Sequence, residues 1–355
     1  MGTRLLDSDL PLVAAPMAGG ATTTDLVAAT ADAGAFPFLA GGYQHPEALA
    51  AQIHAARSHA RPFGVNLFVP PTDGAPVLDT AALAAYARRI APEAAALGME
   101  LGMELGMELD PEADLPTRAD DDAWDAKVDL LRRDPVPVVS CTFGPPPASD
   151  VAALRAAGSL VLVTVTTPQE AAAAQALGVD GLVVQGPGAG GHSGTWDPAR
   201  RVDDGATADV VAAVAARTRL PLVAAGGVDG PRAVTRLLAA GAQAVAVGTL
   251  LLRTDESGAS ATHRGALADP RFGSTTVTRA FTGRPARALR NGFVERHDRA
   301  APVGYPQVHH LTRELRQRAA ATGDADRLHL WAGTGYRAAR TGPAGEVVRA
   351  LAASL

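Results

Sequence analysis

The chain alternates short apolar runs with longer alanine-rich stretches. The runs cover residues 10–15, 37–40, 63–69, 136–141, 160–165, 181–185, 220–225 and 244–247. Each is continuous rather than alternating, which suits parallel strands covered on both faces. Helical patterns lie between them. Residues 25–33 are closed by Gly34, and residues 46–60 are opened by Pro46, whose ring presets the first helical turn. Eight strand-then-helix units predict an α/β fold closed into a (β/α)8 TIM barrel; a doubly wound open sheet is the alternative.

Two segments break this rhythm. Residues 70–134 predict a helical insertion between the third and fourth strands. Within it, residues 97–109 repeat Leu-Gly-Met-Glu in tandem. A period of four drifts about 40° per unit against 3.6 residues per turn, so it makes no fixed apolar face. A glycine in each unit costs about 1 kcal/mol in a helix, and glutamates four apart repel. The repeat reads as a duplication in a frayed surface helix. The acidic residues beyond it (Asp110, Glu112, Asp114, Asp120–Asp122) read as a solvated loop, with no metal expected. The second segment starts at Arg253. It is rich in Arg, His, Gly and Pro and shows no strand runs, which predicts a helical cap and a terminal helix. The expected organisation is a barrel over residues 1–252 and a cap with a C-terminal helix packing on the barrel over residues 253–355.

Composition narrows the function. The 355 residues are 47% hydrophobic, enough for a large core, and the net charge of -5 points to neither nucleic acid nor an anionic membrane. The single cysteine, Cys141, cannot form an internal disulfide. The N-terminal residues reach Arg4 before any apolar stretch of signal length, and no run approaches the ~20 residues of a membrane span. A cytoplasmic location is expected. The one lysine, Lys127, falls in an acidic stretch on a predicted surface helix, which argues against Schiff-base chemistry.

Barrel chemistry sits on the loops after the strands. The first run is followed by Pro16-Met17-Ala18-Gly19-Gly20, small enough for a flat ring to approach the backbone. Asn66 interrupts the third run with an amide that needs partners and could meet an isoalloxazine edge; a satisfied core asparagine is the structural alternative. Gln185 repeats that logic at the end of the sixth run. The loop after it carries Gly190 and Gly191, then His192, a candidate proton acceptor or anion-binding donor, or else a residue that holds the loop. Ser193 follows. Gly226-Gly227 after the seventh run, and Ala246-Val247-Gly248-Thr249 at the end of the eighth, occupy positions where barrels bind a phosphate.

These segments resemble the nitronate monooxygenase family. The similarity is carried by residues 15–20, 65–68, 185–194 and 225–228, and in the tail by Arg279-Ala280-Phe281-Thr282-Gly283-Arg284-Pro285-Ala286-Arg287 and Leu330-Trp331-Ala332-Gly333. The resemblance implies FMN in a capped barrel. It places Asn66, Gln185, Gly190, Gly227 and residues 246–249 on FMN and His192 on the substrate side. It also implies oxidation of an alkyl nitronate with O2 to a carbonyl compound and nitrite. The sequence departs from the family at one position. Members carry Phe-His-Phe-Gly after the fourth strand, with that histidine as base, whereas here Thr142 takes its place in Cys141-Thr142-Phe143-Gly144. Thr142 and Ser193 are therefore expected on the substrate side, with an anionic nitronate favoured over a neutral nitroalkane. The alternatives are an NAD(P)H-dependent FMN reductase of enoyl thioesters or quinones, and a non-redox phosphate-binding barrel. A small molecule and O2 are the expected partners. The oligomeric state is open, and a homodimer is compatible with the sequence.

Overall fold

All eight apolar runs form strands in the computed structural model, which describes residues 5–71, 79–99, 120–353 and 355. The first half runs β1 (Leu12–Ala14), α1 (Thr24–Asp32), β2 (Phe36–Ala40), α2 (Pro46–Arg57), β3 (Gly64–Phe68), α3 (Thr80–Ala96), α4 (Trp124–Arg133), β4 (Val138–Thr142) and α5 (Ala148–Ala156). Then come β5 (Leu160–Val165), α6 (Pro168–Ala176), β6 (Gly181–Gln185), β7 (Gly191–His192), α7 (Thr207–Ala215), β8 (Leu222–Ala225), α8 (Pro231–Ala239) and β9 (Ala244–Val247). Strands β1–β6, β8 and β9 close a parallel barrel, with β9 returning to β1 so that Ala246 faces Val13. The closed ring excludes the open-sheet alternative.

Side-chain alternation divides the core in two. Leu39, Val65, Val139, Val163 and Val245 point outward and pack under the helices. Val13, Phe36, Phe38, Val138, Leu162 and Val223 fill the barrel. Cys141 belongs to the outward layer and is fully buried. Near the strand C-termini the inward positions turn polar, with Asn66 opposite Ser140 and Phe68 opposite Thr142 in register. Polar residues there would be costly in a sealed core, so this end is where the barrel opens to chemistry.

The tail corrects the strand-free expectation. It contains α9 (Ala261–Ala266), β10 (Thr275–Thr278), β11 (Ala286–Leu289), α10 (Gly292–His297), α11 (Gln307–Thr322) and α12 (Ala344–Ala352). Strand β11 lies between β10 and β7 in an antiparallel sheet, pairing Ala286 with His192. The cap also recruits the insertion. Leu83, Tyr86 and Ile90 of α3 share a core with Phe281, Phe293, Val308 and Leu315. Helix α12 packs instead beside α1 and α8 on the barrel. Leu97 and Met99 at the start of the Leu-Gly-Met-Glu repeat pack against the cap core, and the remainder of the repeat lies outside the described residues.

Lys127 is a second correction. It is 1% exposed rather than on a surface, and it pairs with Asp122 at 2.8 Å. Asp122 in turn accepts a hydrogen bond from the Tyr43 backbone N–H. A buried lysine needs such a partner, and the acidic stretch supplies it. Asp122 and Asp120 are therefore structural residues at the barrel mouth and not merely a solvated loop. Asp110, Glu112 and Asp114 lie outside the described residues. Among the described residues, no helix is long and apolar enough to cross a membrane, and no three metal-ligating side chains converge.

The insertion and the tail are joined by Glu93 of α3. It accepts from Arg296 at 2.6 Å, His297 at 2.8 Å and Arg327 at 2.8 Å. Burial opposes its ionisation, but Arg296, His297 and Arg327 prevail and hold the carboxyl down to about 2. A depressed carboxylate stabilises the fold above its unfolded value and loses that contribution as pH falls toward the folded value. Glu93→Gln is expected to destabilise the protein by roughly 2–3 kcal/mol at pH 7. The difference from wild type should shrink below about pH 4.5. Denaturant melts at pH 7 and pH 3 check this; an equal gap at both pH values would contradict it.

Candidate active site

One cavity of about 840 Å³ opens at the C-terminal ends of the barrel strands, beneath the cap. Pro16, Met17 and Ala18 border it from the loop after β1, and Asn66 and Thr142 from β3 and β4. Gln185, Gly190, Gly191 and His192 contribute after β5, from β6 and its loop. Gly226 and Gly227 contribute after β8, and Ala246, Val247, Gly248 and Thr249 at the end of β9. The structure thus brings these predicted residues to one space. Ser193 is the exception. It borders a smaller cavity behind the β6 loop, and its N–H donates to Pro285 O. Strand alternation explains this: His192 points one way from β7 and Ser193 the other.

The two amides are spoken for in different ways. Asn66 Nδ2 donates to Ser140 O, Ser140 Oγ and Thr142 Oγ1 at 2.8–3.1 Å. This orients the amide and leaves Oδ1 out of those bonds. Thr142 Oγ1 also shares a hydrogen bond with Thr164 Oγ1 at 3.1 Å. Gln185 acts as a clasp. Its Nε2 donates to His192 O at 3.1 Å, and its Oε1 accepts from Gly194 N at 2.6 Å. The loop that carries His192 is thereby tied at both ends to one side chain of β6.

The tail motifs explain themselves in the same loop. Arg279 donates to the carbonyls of Pro198, Ala199 and Arg200. Arg284 donates to Ser193 O and Thr195 O, and Arg287 to Pro187 O. Three guanidinium groups therefore hold the backbone between β6 and α7. Gly333 approaches so closely that a Cβ on Gly190 would lie 2.5 Å from its nitrogen. Gly190 is a glycine because of this backbone contact.

Barrel loops and the cap add further residues, of which the sequence motifs include only Phe143 and Trp331. Tyr43, Phe143, His263, His309, Arg316, His329 and Trp331 all line the cavity. Phe143, in the left-handed region at φ 89°, is pinned between Phe68 at 4.4 Å and the Arg284 guanidinium at 4.0 Å. His192 Nε2 lies 3.0 Å from Thr282 Oγ1. Its ring stands 5.3 Å from Trp331 and 5.8 Å from Tyr305.

Electrostatically the cavity favours anions. Burial, then Arg284 and Arg316, push the His192 imidazole down to about 3. Burial drives His263 to about 4, and takes His309 and His329 well below the ordinary histidine value. Arg284 and Arg316, though lowered by burial to about 10, stay charged at neutral pH. Neutral imidazoles therefore face buried cations. No sequence periodicity marks the polar face of α11 as the one that looks into a cavity; the adjacent His309-His310 pair was the available hint.

The sequence description of nitronate monooxygenase matches residues 4–354. The chain belongs to the nitronate monooxygenase family. A nitronate monooxygenase from Pseudomonas aeruginosa is 37% identical over 99% of the chain and 98% of its own length. Nitroalkane oxidase from Streptomyces ansochromogenes has a solved structure that is 45% identical, with a TM-score of 0.88 over 98% of this chain and 95% of that one. FabK from Thermotoga maritima shares the fold at 22% identity, with a TM-score of 0.72 over 98% and 93%. These relatives make the chain an oxidoreductase on a TIM barrel.

Gln185→Leu should loosen the loop that carries His192. It removes two hydrogen bonds and leaves the Gly194 N–H without its partner. The expected cost is about 1–3 kcal/mol, with hydrogen exchange at Gly194 at least ~10-fold faster. Unchanged exchange at Gly194 would show that the arginines alone hold the loop.

Proposed function

We propose that this chain oxidises anionic alkyl nitronates with O2, using FMN, to a carbonyl compound and nitrite. The observation that carries this reading is the capped cavity in which neutral histidines face buried arginines. Such a site stabilises a small anion and sheds water from it.

The residues fit a flavin. A Cβ on Gly248 would meet nothing nearer than 3.5 Å, and one on Gly191 would meet nothing within 4 Å. Gly191 is accounted for by its left-handed backbone at φ 74°, but neither packing nor backbone demands glycine at 248, whereas a ligand lying against it would. Gly227, Gly248 and Thr249 would offer backbone N–H groups to the phosphate. Asn66 Oδ1 and the second Nε2 hydrogen of Gln185 would serve the polar edge of the ring. FMN, when bound, supplies the electron acceptor and the reactivity toward O2.

The chain's own part is positioning and charge. The cap covers the substrate, and Arg284 and Arg316 favour its negative charge. His192 is neutral at working pH. With Nε2 donating to Thr282, its Nδ1 is free to accept a proton. Its low basicity and the hydroxyl at Thr142 both favour a substrate that arrives already deprotonated. The 45% identical nitroalkane oxidase supports a second reading, in which neutral nitroalkanes are also taken with His192 as base.

Two variants test these assignments. Gly248→Val places a side chain where the cofactor should lie, at φ -116° and without backbone strain. FMN affinity should fall at least ~10-fold while the apoprotein melts as wild type does. Full FMN occupancy at unchanged affinity would refute the cradle. For Thr142, kcat/KM is measured on the nitronate and neutral forms of one nitroalkane. Wild type should favour the nitronate by ~10²-fold or more, and Thr142→His should raise turnover of the neutral form by about 10²-fold. Equal wild-type rates on both forms would favour the second reading.

A further inference from the structure

Helix α11 lines one side of the cavity with His309, Arg313 and Arg316, and the buried Thr312 lies between His309 and Arg316 at helical spacing. Arg316 is 7% exposed. Its Nε donates to Thr312 O and Oγ1, and its Nη2 donates to His309 O at 2.9 Å and to His309 Nδ1 at 3.2 Å. No carboxylate among the described residues pairs with it, and the titratable groups that act on its charge are Tyr43, Arg313 and Tyr305.

The contact to Nδ1 determines where the imidazole proton sits. A guanidinium has only N–H donors and nothing to accept with. The ring nitrogen beside it must therefore present its lone pair, and in a neutral imidazole the proton then resides on Nε2. Protonating Nδ1 would set two N–H groups against each other next to a fixed positive charge. The ring cannot easily turn away, because it stacks on Tyr43 with centroids 4.2 Å apart and planes 9° from parallel. Among the described residues no protein atom accepts from His309 Nε2, and it is not among the sealed, unpartnered nitrogens that include His297 Nδ1 and His329 Nδ1. It is left to the cavity. His263 holds the same tautomer by another route: its Nε2 donates to Trp331 O, which spends the N–H on the backbone, whereas His309 keeps its own free.

We propose that His309, held as its Nε2–H tautomer by Arg316, is the hydrogen-bond donor that receives the anionic oxygen of the substrate. A neutral imidazole used in this way polarises an oxygen without giving up its proton. The uncompensated charge of Arg316 behind the ring strengthens the donor. His192 and His309 flank the same tyrosine, with ring centroids 5.8 Å and 6.4 Å from Tyr305. One small substrate can thus meet an acceptor from the β6 loop and a donor from the cap. Arg316 is a positioning residue in this scheme and His309 a catalytic one. The proposal rests on the nitronate reading above for the identity of the anion, but not for the tautomer.

The test combines spectroscopy with kinetics on the FMN-loaded, full-length protein. Histidine 15N labelling, with the His309 signals assigned by their absence in His309→Gln, reads the tautomer directly. Wild type should show a protonated Nε2 and an unprotonated Nδ1, and Arg316→Met should mix the two tautomers. The reverse tautomer in wild type would overturn the proposal whatever the variant does. Sodium nitrite, a planar anion, should shift the His309 Nε2–H resonance of wild type; no shift at saturating flavin-site occupancy would also overturn it. In turnover, His309→Phe keeps the stack on Tyr43 without the donor and should lose about 10²-fold in kcat/KM for a nitronate. His309→Gln, which retains an N–H, should stay within ~10-fold of wild type. A phenylalanine variant as active as wild type would refute the catalytic role. Should wild type itself fail to turn over nitronates while the tautomer and nitrite shift are as stated, the nitronate reading falls and the donor assignment stands.

Discussion

The joint between the β6 loop and the cap sets the geometry of everything at the barrel mouth. Two residues, Gly191 and His192, leave the barrel's own connectivity and add a strand to a sheet whose other members come from nearly a hundred residues downstream. Gln185 ties that loop from below and Arg279, Arg284 and Arg287 tie its carbonyls from above. Carbonyls held by charged donors are worth more than carbonyls held by water, so the loop is fixed before any ligand arrives. The histidine's orientation, the closure of the cavity and the position of Trp331 all depend on this one joint.

The same joint contributes to the electrostatics. Of the clamping arginines, Arg287 is answered by Asp204, whereas the buried Arg284 acts on the nearby His192, as does Arg316 of the cap. Burial with Arg284 and Arg316 keeps His192 neutral, and burial with Arg316 does the same for His309. Arg284 thus serves both rigidity and charge, Arg316 adds charge from the cap, and a cavity built this way favours negative charge without needing a strong base.

The barrel was legible in the sequence because strands buried on both faces leave unbroken apolar runs, and all eight runs became strands within two residues of their expected bounds. The glycines and amides at the strand ends were legible for a related reason, since few other residues tolerate those backbones or interrupt an apolar strand. The cap strands were not. Thr275–Thr278 and Ala286–Leu289 have four residues each, and Arg287 within the second reads as a surface residue until its carbonyl partner is seen. Lys127 was misplaced because an ion pair with Asp122 has no sequence periodicity. His309 and Arg316 sit on a helix face that is polar because it meets a cavity, and a polar face facing solvent looks the same. Gln185 needed partners, as its position said, but only the fold shows that it spends both ends of its amide on the loop.

Anaerobic titration of the FMN-loaded protein tests the central claim most directly. A primary alkyl nitronate should bleach the flavin absorbance within the turnover time, NADH and NADPH should leave it unchanged over the same interval, and readmitting O2 should restore the colour with release of nitrite. Bleaching by NADH or NADPH while nitronates leave the spectrum unaltered would contradict the account and make the chain a pyridine-nucleotide-dependent reductase on the same scaffold.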